Sequence, residues 1–286
     1  MTILDLLNKN AKRLSDAGVA DPRREASSLL AFALDKPSAF LIAHPEYELT
    51  NDEADRFEGF VSRRENREPF QYITGRQEFY GLDFEVTPDV LIPRPETEIL
   101  VEEAIHELSK LKKLNKLSEL KFCEIGVGSG CISVSILRNV PNATAIGIDI
   151  SETALAVAGR NAECHGVADR LSLQIGDVFA RVTDKFDMIV SNPPYIPDAD
   201  LTDMQKEVRD FEPHKALFAG TDGLDIIRRI VAEAPNYLNP GGLLLIEIGF
   251  GQAENLKSLF DLSTWNEPEF LSDLQGIERI VRLQLS

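Results

Sequence analysis

At 286 residues with 43% of them hydrophobic, the chain can bury one sizeable α/β domain beside a smaller one, which excludes intrinsic disorder by composition. Its formal charge of −17 leaves no basic footprint over the chain as a whole, and this speaks against duplex nucleic acid as the main partner, whose affinity comes from neutralised phosphates. No run reaches the roughly 20 apolar residues that span a bilayer, so no membrane role is expected.

The first ~75 residues read as helices only. Thr2 can cap a helix with Ile3, Leu6, Leu7 and Leu14 at helical spacing, and no basic stretch leads into an apolar one there, so no signal peptide is expected. Asp21-Pro22 reads as a cap followed by proline at the first helical position, ahead of a stripe of Ala26, Leu29, Leu30 and Ala33. Asn51 opens a third amphipathic segment with Phe57, Phe60 and Val61. This predicts a small helical bundle at 1–75, with no chemistry of its own and a role in docking a partner protein.

Between Gln71 and Pro93 aromatic and β-branched residues alternate with glycine turns, which predicts a hairpin or extended linker over 76–93. A helix is expected from Pro95, with the stripe Leu100, Ala104, Leu108, Leu111, and the basic cluster KLKKLNKLSELK from Lys110 reads as its polar end. Strands are then predicted at 121–126, 143–149, 171–175, 186–191 and 243–248, and helices at about 129–138, 152–165, 223–237 and 252–260. Such alternation builds a mostly parallel sheet covered on both faces. The runs 267–272 and 278–285, joined by a turn near Gly276, read as an antiparallel hairpin closing it.

Cys123, Cys131 and Cys164 lack CxxC spacing and read as reduced, buried thiols of a cytoplasmic protein. His44, His106, His165 and His214 share no ligand spacing, so no metal is expected.

Four sheet-edge motifs carry the chemistry, and the first three go together. Glu124-Ile-Gly126-Val-Gly128-Ser-Gly130 follows an apolar strand and opens a helix, where glycines let backbone approach a ligand. Its G-x-G-x-G spacing departs from the G-x-G-x-x-G of dinucleotide sites. Asp149 ends the next strand, 23 residues after Gly126, where a carboxylate can accept both hydroxyls of a ribose or merely cap the following helix. Gly176-Asp177-Val178-Phe179 closes the third strand, where an adenine ring can lie on Val178 with Asp177 accepting from its amine. In order, they make an adenosine site.

The fourth motif, Asn192-Pro193-Pro194-Tyr195, follows the strand FDMIVS. Two prolines cannot continue a ladder, so the chain turns out at the carboxyl edge of the sheet, where ligands of open α/β sheets bind. The Asn192 side-chain oxygen and the Pro193 carbonyl offer two acceptors for an NH2 group, and Tyr195 a flat face for a planar amide or base. Holding both N–H groups turns the delocalised lone pair toward a methyl donor, and in-line positioning can lower a barrier by about 7–11 kcal/mol.

With these motifs in order, residues 121–196 resemble amino-methyltransferases that use S-adenosyl-L-methionine on a Rossmann-like seven-stranded sheet with a reversed last strand. The tetrapeptide is shared by enzymes acting on adenine in DNA or RNA and by enzymes acting on glutamine in proteins. Three further stretches resemble the HemK-type peptide chain release factor glutamine methyltransferases: Leu91-Ile-Pro-Arg94-Pro-Glu96-Thr97-Glu98; Tyr72-Ile-Thr-Gly75 with Glu78-Phe-Tyr-Gly81; and Phe211-Glu-Pro213 with Ala216-Leu-Phe-Ala-Gly220-Thr-Asp-Gly223-Leu. The resemblance spans nearly the whole chain.

It implies methyl transfer to the glutamine of the Gly-Gly-Gln loop of class 1 release factors, with S-adenosyl-L-homocysteine as the other product. It implies that Glu124, Gly126, Val127, Gly128, Ser129, Gly130, Asp149, Asp177, Val178 and Asn192 hold the cofactor, and that Asn192, Pro193, Pro194 and Tyr195 hold the glutamine amide. Arg94 and Glu98 are expected either to shape the entrance or to form a structural ion pair. Glu124 stands where aspartate is commoner in the family and Val127 where threonine is commoner. The alternatives are an adenine amino-methyltransferase, which lacks a basic recognition domain here (residues 1–75 hold 10 Lys+Arg against 13 Asp+Glu), and a non-catalytic cofactor-binding protein.

Overall fold

A computed structural model describes residues 1–115 and 119–286; the part of the basic cluster at Lys116 to Ser118 lies outside them. Contacts divide the chain into two units, Met1–Arg76 with Gln205–Phe211, and Gln77–Met204 with Glu212–Ser286.

The first unit is all helix: α1 (Ile3–Asp16), α2 (Pro22–Leu34), α3 (Ser38–Ala43), α4 (Asn51–Glu65) and α5 (Phe70–Thr74). Thr2 and Asp5 close a capping box at α1, and Thr50 and Glu53 another at α4, each satisfying otherwise unpaired N–H groups. Asp21 precedes Pro22 as expected but sits at φ 48 with no side-chain cap bond. The predicted stripes form one core in which Leu6, Leu14, Leu29, Leu30 and Phe57 are fully buried. Helix α5 lies at the end of the helical stretch and overlaps the start of the alternating pattern at Gln71; Pro69 starts it and Gly75, at φ 73, ends it within five residues.

The second unit opens within a hairpin, β1 (Arg76–Phe79, whose first residue ends the helical unit) and β2 (Leu82–Glu85), whose turn residues Tyr80 and Gly81 both have positive φ, as tight hairpins favour. The hairpin is tied down by packing. Phe79 and Phe84 are buried in the core, and Asn161 bridges Glu85 to the carbonyl of Ser129. After a 3₁₀ turn at Pro95–Thr97 comes α6 (Glu98–Asn115), then β3 (Leu120–Ile125), α7 (Cys131–Asn139), β4 (Ala143–Asp149), α8 (Glu152–Cys164), β5 (Leu171–Ile175) and β6 (Phe186–Ser191). The short α9 (Lys206–Phe211) belongs to the first unit; α10 (Asp225–Glu233), β7 (Leu238–Glu247), α11 (Ala253–Lys257), β8 (Glu269–Ser272) and β9 (Glu278–Gln284) complete the second.

The seven-stranded sheet has the order β5-β4-β3-β6-β7-β9-β8, parallel except that β9 runs antiparallel to both its neighbours. The closing hairpin therefore slots β9 inside and leaves β8 at the edge. Period-two alternation splits the core: Phe122, Met188, Val190 and Leu245 face one layer, and Cys123, Ile189, Leu244 and Ile246 the other. This is the expected Rossmann-like α/β architecture. No helix among the described residues is long and apolar enough to cross a membrane.

Candidate active site

From β3 the chain runs to β4 and β5 on one side, then returns as β6 on the other, so the ends of β3 and β6 flank the switch point where open sheets form a crevice. A cavity of about 440 Å³ opens there, within the range of small-molecule sites. Its walls include Glu124, Gly126 to Ser129, Asp149, Asp177, Val178, Asn192 and Pro194.

On one side lies the glycine loop. Gly126, Gly128 and Gly130 have φ of 75°, 52° and 80°, and the N–H groups of Gly126 and Val127 both donate to the Ile148 carbonyl, at 2.8 and 3.0 Å. A Cβ on Gly130 would lie 3.1 Å from the Ala158 methyl, so the glycine lets α8 close against the loop. Asp149 accepts from the Gly128 N–H and, with its other oxygen, from the Ser151 N–H, both at 2.9 Å; its half-buried setting pushes the carboxyl up while these bonds pull it down. Asp177 pairs with Arg229 at 3.0 Å. Val178 is buried at φ 55°, a costly conformation for a β-branched residue, at the wall where a planar ring was expected.

On the other side lies the Asn-Pro-Pro-Tyr turn, and a Cβ on Gly126 would lie 3.9 Å from the Asn192 carbonyl, so the two motifs adjoin. Asn192 Nδ2 donates to Thr97 Oγ1 at 3.0 Å, which leaves the amide oxygen as its other pole. Pro193 is buried. The Tyr195 carbonyl accepts from Gln252 Nε2 at 2.9 Å, and Gln252 Oε1 takes the Gly249 N–H at 2.8 Å. Arg94 lines the cavity and donates at 2.5 Å to Glu212, whose other oxygen takes the Ile92 N–H. Glu98 is not among the lining residues; it accepts the Tyr80 N–H at 2.8 Å and so fixes the hairpin turn.

Two carboxyls are buried behind this edge. Glu124 is 1% exposed; its Oε2 accepts the Ser133 N–H and hydroxyl, while Oε1 has no partner. Burial pushes its pKa up to about 8. Glu247, 2% exposed, ends β7 next to Asn192, because Ser191 and Ile246 pair in register; its Oε2 is likewise unpartnered. Burial raises Glu247 to about 7, against hydrogen bonding from Thr97 and Asn192. Thr97 and Glu212 were read only as members of family stretches, without a role, and Glu247 and Gln252 were not singled out from the sequence. The available sign was an acid closing the apolar run LLLIEI.

Residues 5–75 match the family described as "PrmC N-terminal domain", and residues 116–273 one described as "Methyltransferase domain". The release factor glutamine methyltransferase of Geobacter sulfurreducens is 44% identical over 98% of this chain and 95% of its own, and that of Cereibacter sphaeroides is 40% identical over 100% and 99%. In fold, the hMettl16 catalytic domain, solved in complex with a MAT2A 3′UTR hairpin, aligns with a TM-score of 0.57 at 13% identity, over 89% of this chain and 90% of that one. The chain thus belongs to the release factor glutamine methyltransferases, a family of S-adenosyl-L-methionine-dependent enzymes.

Proposed function

We propose that the chain methylates the side-chain amide nitrogen of the glutamine in the Gly-Gly-Gln loop of class 1 peptide chain release factors, and so modulates translation termination. The observation that carries this is Asn192, anchored through its nitrogen to Thr97 and hence free to offer its oxygen to an NH2 group.

The residues fit the cofactor. Glu124 Oε1 is a buried acceptor on the cavity wall with no partner, which suits the ammonium of an amino acid. Gly126, Val127, Gly128, Ser129 and Gly130 bring backbone close, Asp149 meets ribose hydroxyls, and Asp177 and Val178 meet the adenine. When bound, S-adenosyl-L-methionine supplies a methyl on a positively charged sulfur. Asn192 Oδ1 and the Pro193 carbonyl hold the two amide hydrogens, Pro194 and Tyr195 flank the amide plane, and Arg94 borders the entrance. With both N–H groups held, the lone pair points out of plane, and barrier lowering comes from orientation, without a covalent intermediate on the enzyme.

In this reading residues 94–286 catalyse, 76–93 connect, and 1–75 dock the release factor. A substrate that serves the ribosome goes with a cytoplasmic setting, and no nucleic acid is contacted directly. The test is methyl transfer from labelled cofactor to purified release factor, followed by mass spectrometry. One methyl on the glutamine is expected, with none on a Gln→Ala substrate. Transfer to DNA or RNA, or to another residue, overturns it.

A further inference from the structure

We propose that Glu247, acting through Thr97, decides which end of the Asn192 side-chain amide faces the substrate; the proposal rests on the glutamine-methylation reading above. A primary amide has two ends of nearly equal shape and opposite hydrogen-bonding sense. With the oxygen outward it accepts from a substrate NH2; with the nitrogen outward, two donors meet and binding fails.

The structure shows what holds the productive end. Asn192 Nδ2 gives its hydrogen to Thr97 Oγ1 at 3.0 Å, with Thr97 only 2% exposed. That bond uses the hydroxyl's accepting side, so the hydroxyl proton needs another acceptor. The neighbouring acceptor is the buried Glu247 carboxylate, which the Ser191–Ile246 pairing of β6 and β7 sets beside Asn192, and whose charged form Thr97 and Asn192 both favour. Without it, a buried hydroxyl would turn its proton toward Asn192 Oδ1 and favour the flipped amide.

Glu247 is costly as a structural element alone. It is buried, one oxygen is unpartnered, Glu96 opposes its charge, and Arg279 offers only partial relief. An apolar residue of the same size would spare that cost. Tyr195 and Cys131, which also feel Glu247, are both held protonated by burial. An expensive carboxylate beside the acceptor residue is explained if it keeps Thr97 donating away from Asn192. Glu247 is thus a positioning residue, touching neither substrate nor cofactor.

The test uses the full chain, with kcat, KM for release factor, cofactor Kd and melting temperature measured for each variant. Glu247→Met removes the acceptor but keeps the volume; kcat is expected to fall about 10- to 100-fold, the range seen for partners that orient ligating residues, while cofactor Kd and melting temperature hold or improve. Glu247→Gln keeps one acceptor and recovers most of the loss. Thr97→Val should match Glu247→Met, and Thr97→Ser should recover, so this pair decides if Glu247→Met does not fold. A kcat within about twofold of wild type in both Glu247→Met and Thr97→Val would overturn the proposal, since orientation effects in catalysis are far larger. So would loss of kcat only in step with melting temperature. Failure of the wild type to methylate the glutamine would instead overturn the function itself.

Discussion

The two sides of the cleft start from adjoining parallel strands yet hold their groups by opposite means. After β3, three glycines at positive φ leave a loop whose main chain lies bare against the cavity, pinned by Ile148 and Asp149. After β6, two prolines stiffen the chain, and side chains far away in sequence set its direction: Thr97 on Asn192, and Gln252 on the Tyr195 carbonyl. One side works by what has been removed, the other by what has been added. A site whose geometry rests on main chain tolerates change around it, whereas one that rests on imported hydrogen bonds fails when any of them is lost.

That contrast can be broken on the rigid side first. Asn192→Ala should lower kcat about 1,000-fold while cofactor Kd shifts by less than about threefold, because one preorganised polar contact is worth about 10²–10³ in rate. Single-turnover assays with equilibrium cofactor titration would show this, and equal losses in both would erase the distinction between the sides. Gly223→Ala acts on the same turn from outside. Gly223 has φ 73°, and a Cβ there would meet the Tyr195 carbonyl oxygen at 2.1 Å, so the turn must shift. A shift of this size is expected to cost about 100-fold in kcat, again with cofactor Kd nearly constant.

On the loop side, Gly128→Ala puts a Cβ into open space at φ 52°. The left-handed strain of about 1–2 kcal/mol should raise cofactor Kd about tenfold and leave kcat at saturation little changed. The smallest effect is a proton. Glu124 is held near 8 by burial, against 4.5 when unfolded, so the folded protein binds more protons over that interval. Stability of the free protein should therefore fall as pH rises from about 4.5 to 8. Pairing with a cofactor ammonium favours the charged carboxylate, so binding near neutral pH should release a proton, and affinity should rise with pH. Calorimetry in buffers of different ionisation enthalpy would reveal the release; its persistence in Glu124→Gln would assign it elsewhere.

What could be read in advance follows the same division. Periodicity placed β4, β5 and β6 at their observed bounds, because a strand buried on both faces is a short apolar run between turn residues. Gly126, Asp149 and Asn192 were legible because each stands at a fixed offset from a strand end. Helices α5 and α9 were not, since five or six residues carry no period. Nor were the roles of Thr97, Gln252 and Glu212, which come from hydrogen bonds to residues dozens of positions away. Glu98 shows the converse: a charged residue inside a family signature that serves a hairpin turn.

The chain passes between the two units three times, because Gln205–Phe211 leaves the sheet unit after Met204 and Glu212 rejoins it. Glu207 in that excursion pairs with Arg64 and Arg67, while Glu212, the first residue back, secures Arg94. The helical unit is therefore not a detachable module. A chimera that exchanges only the first 76 residues between relatives would part Glu207 from both arginines, and a graft that preserves the pairing must carry residues 205–211 along as its second segment.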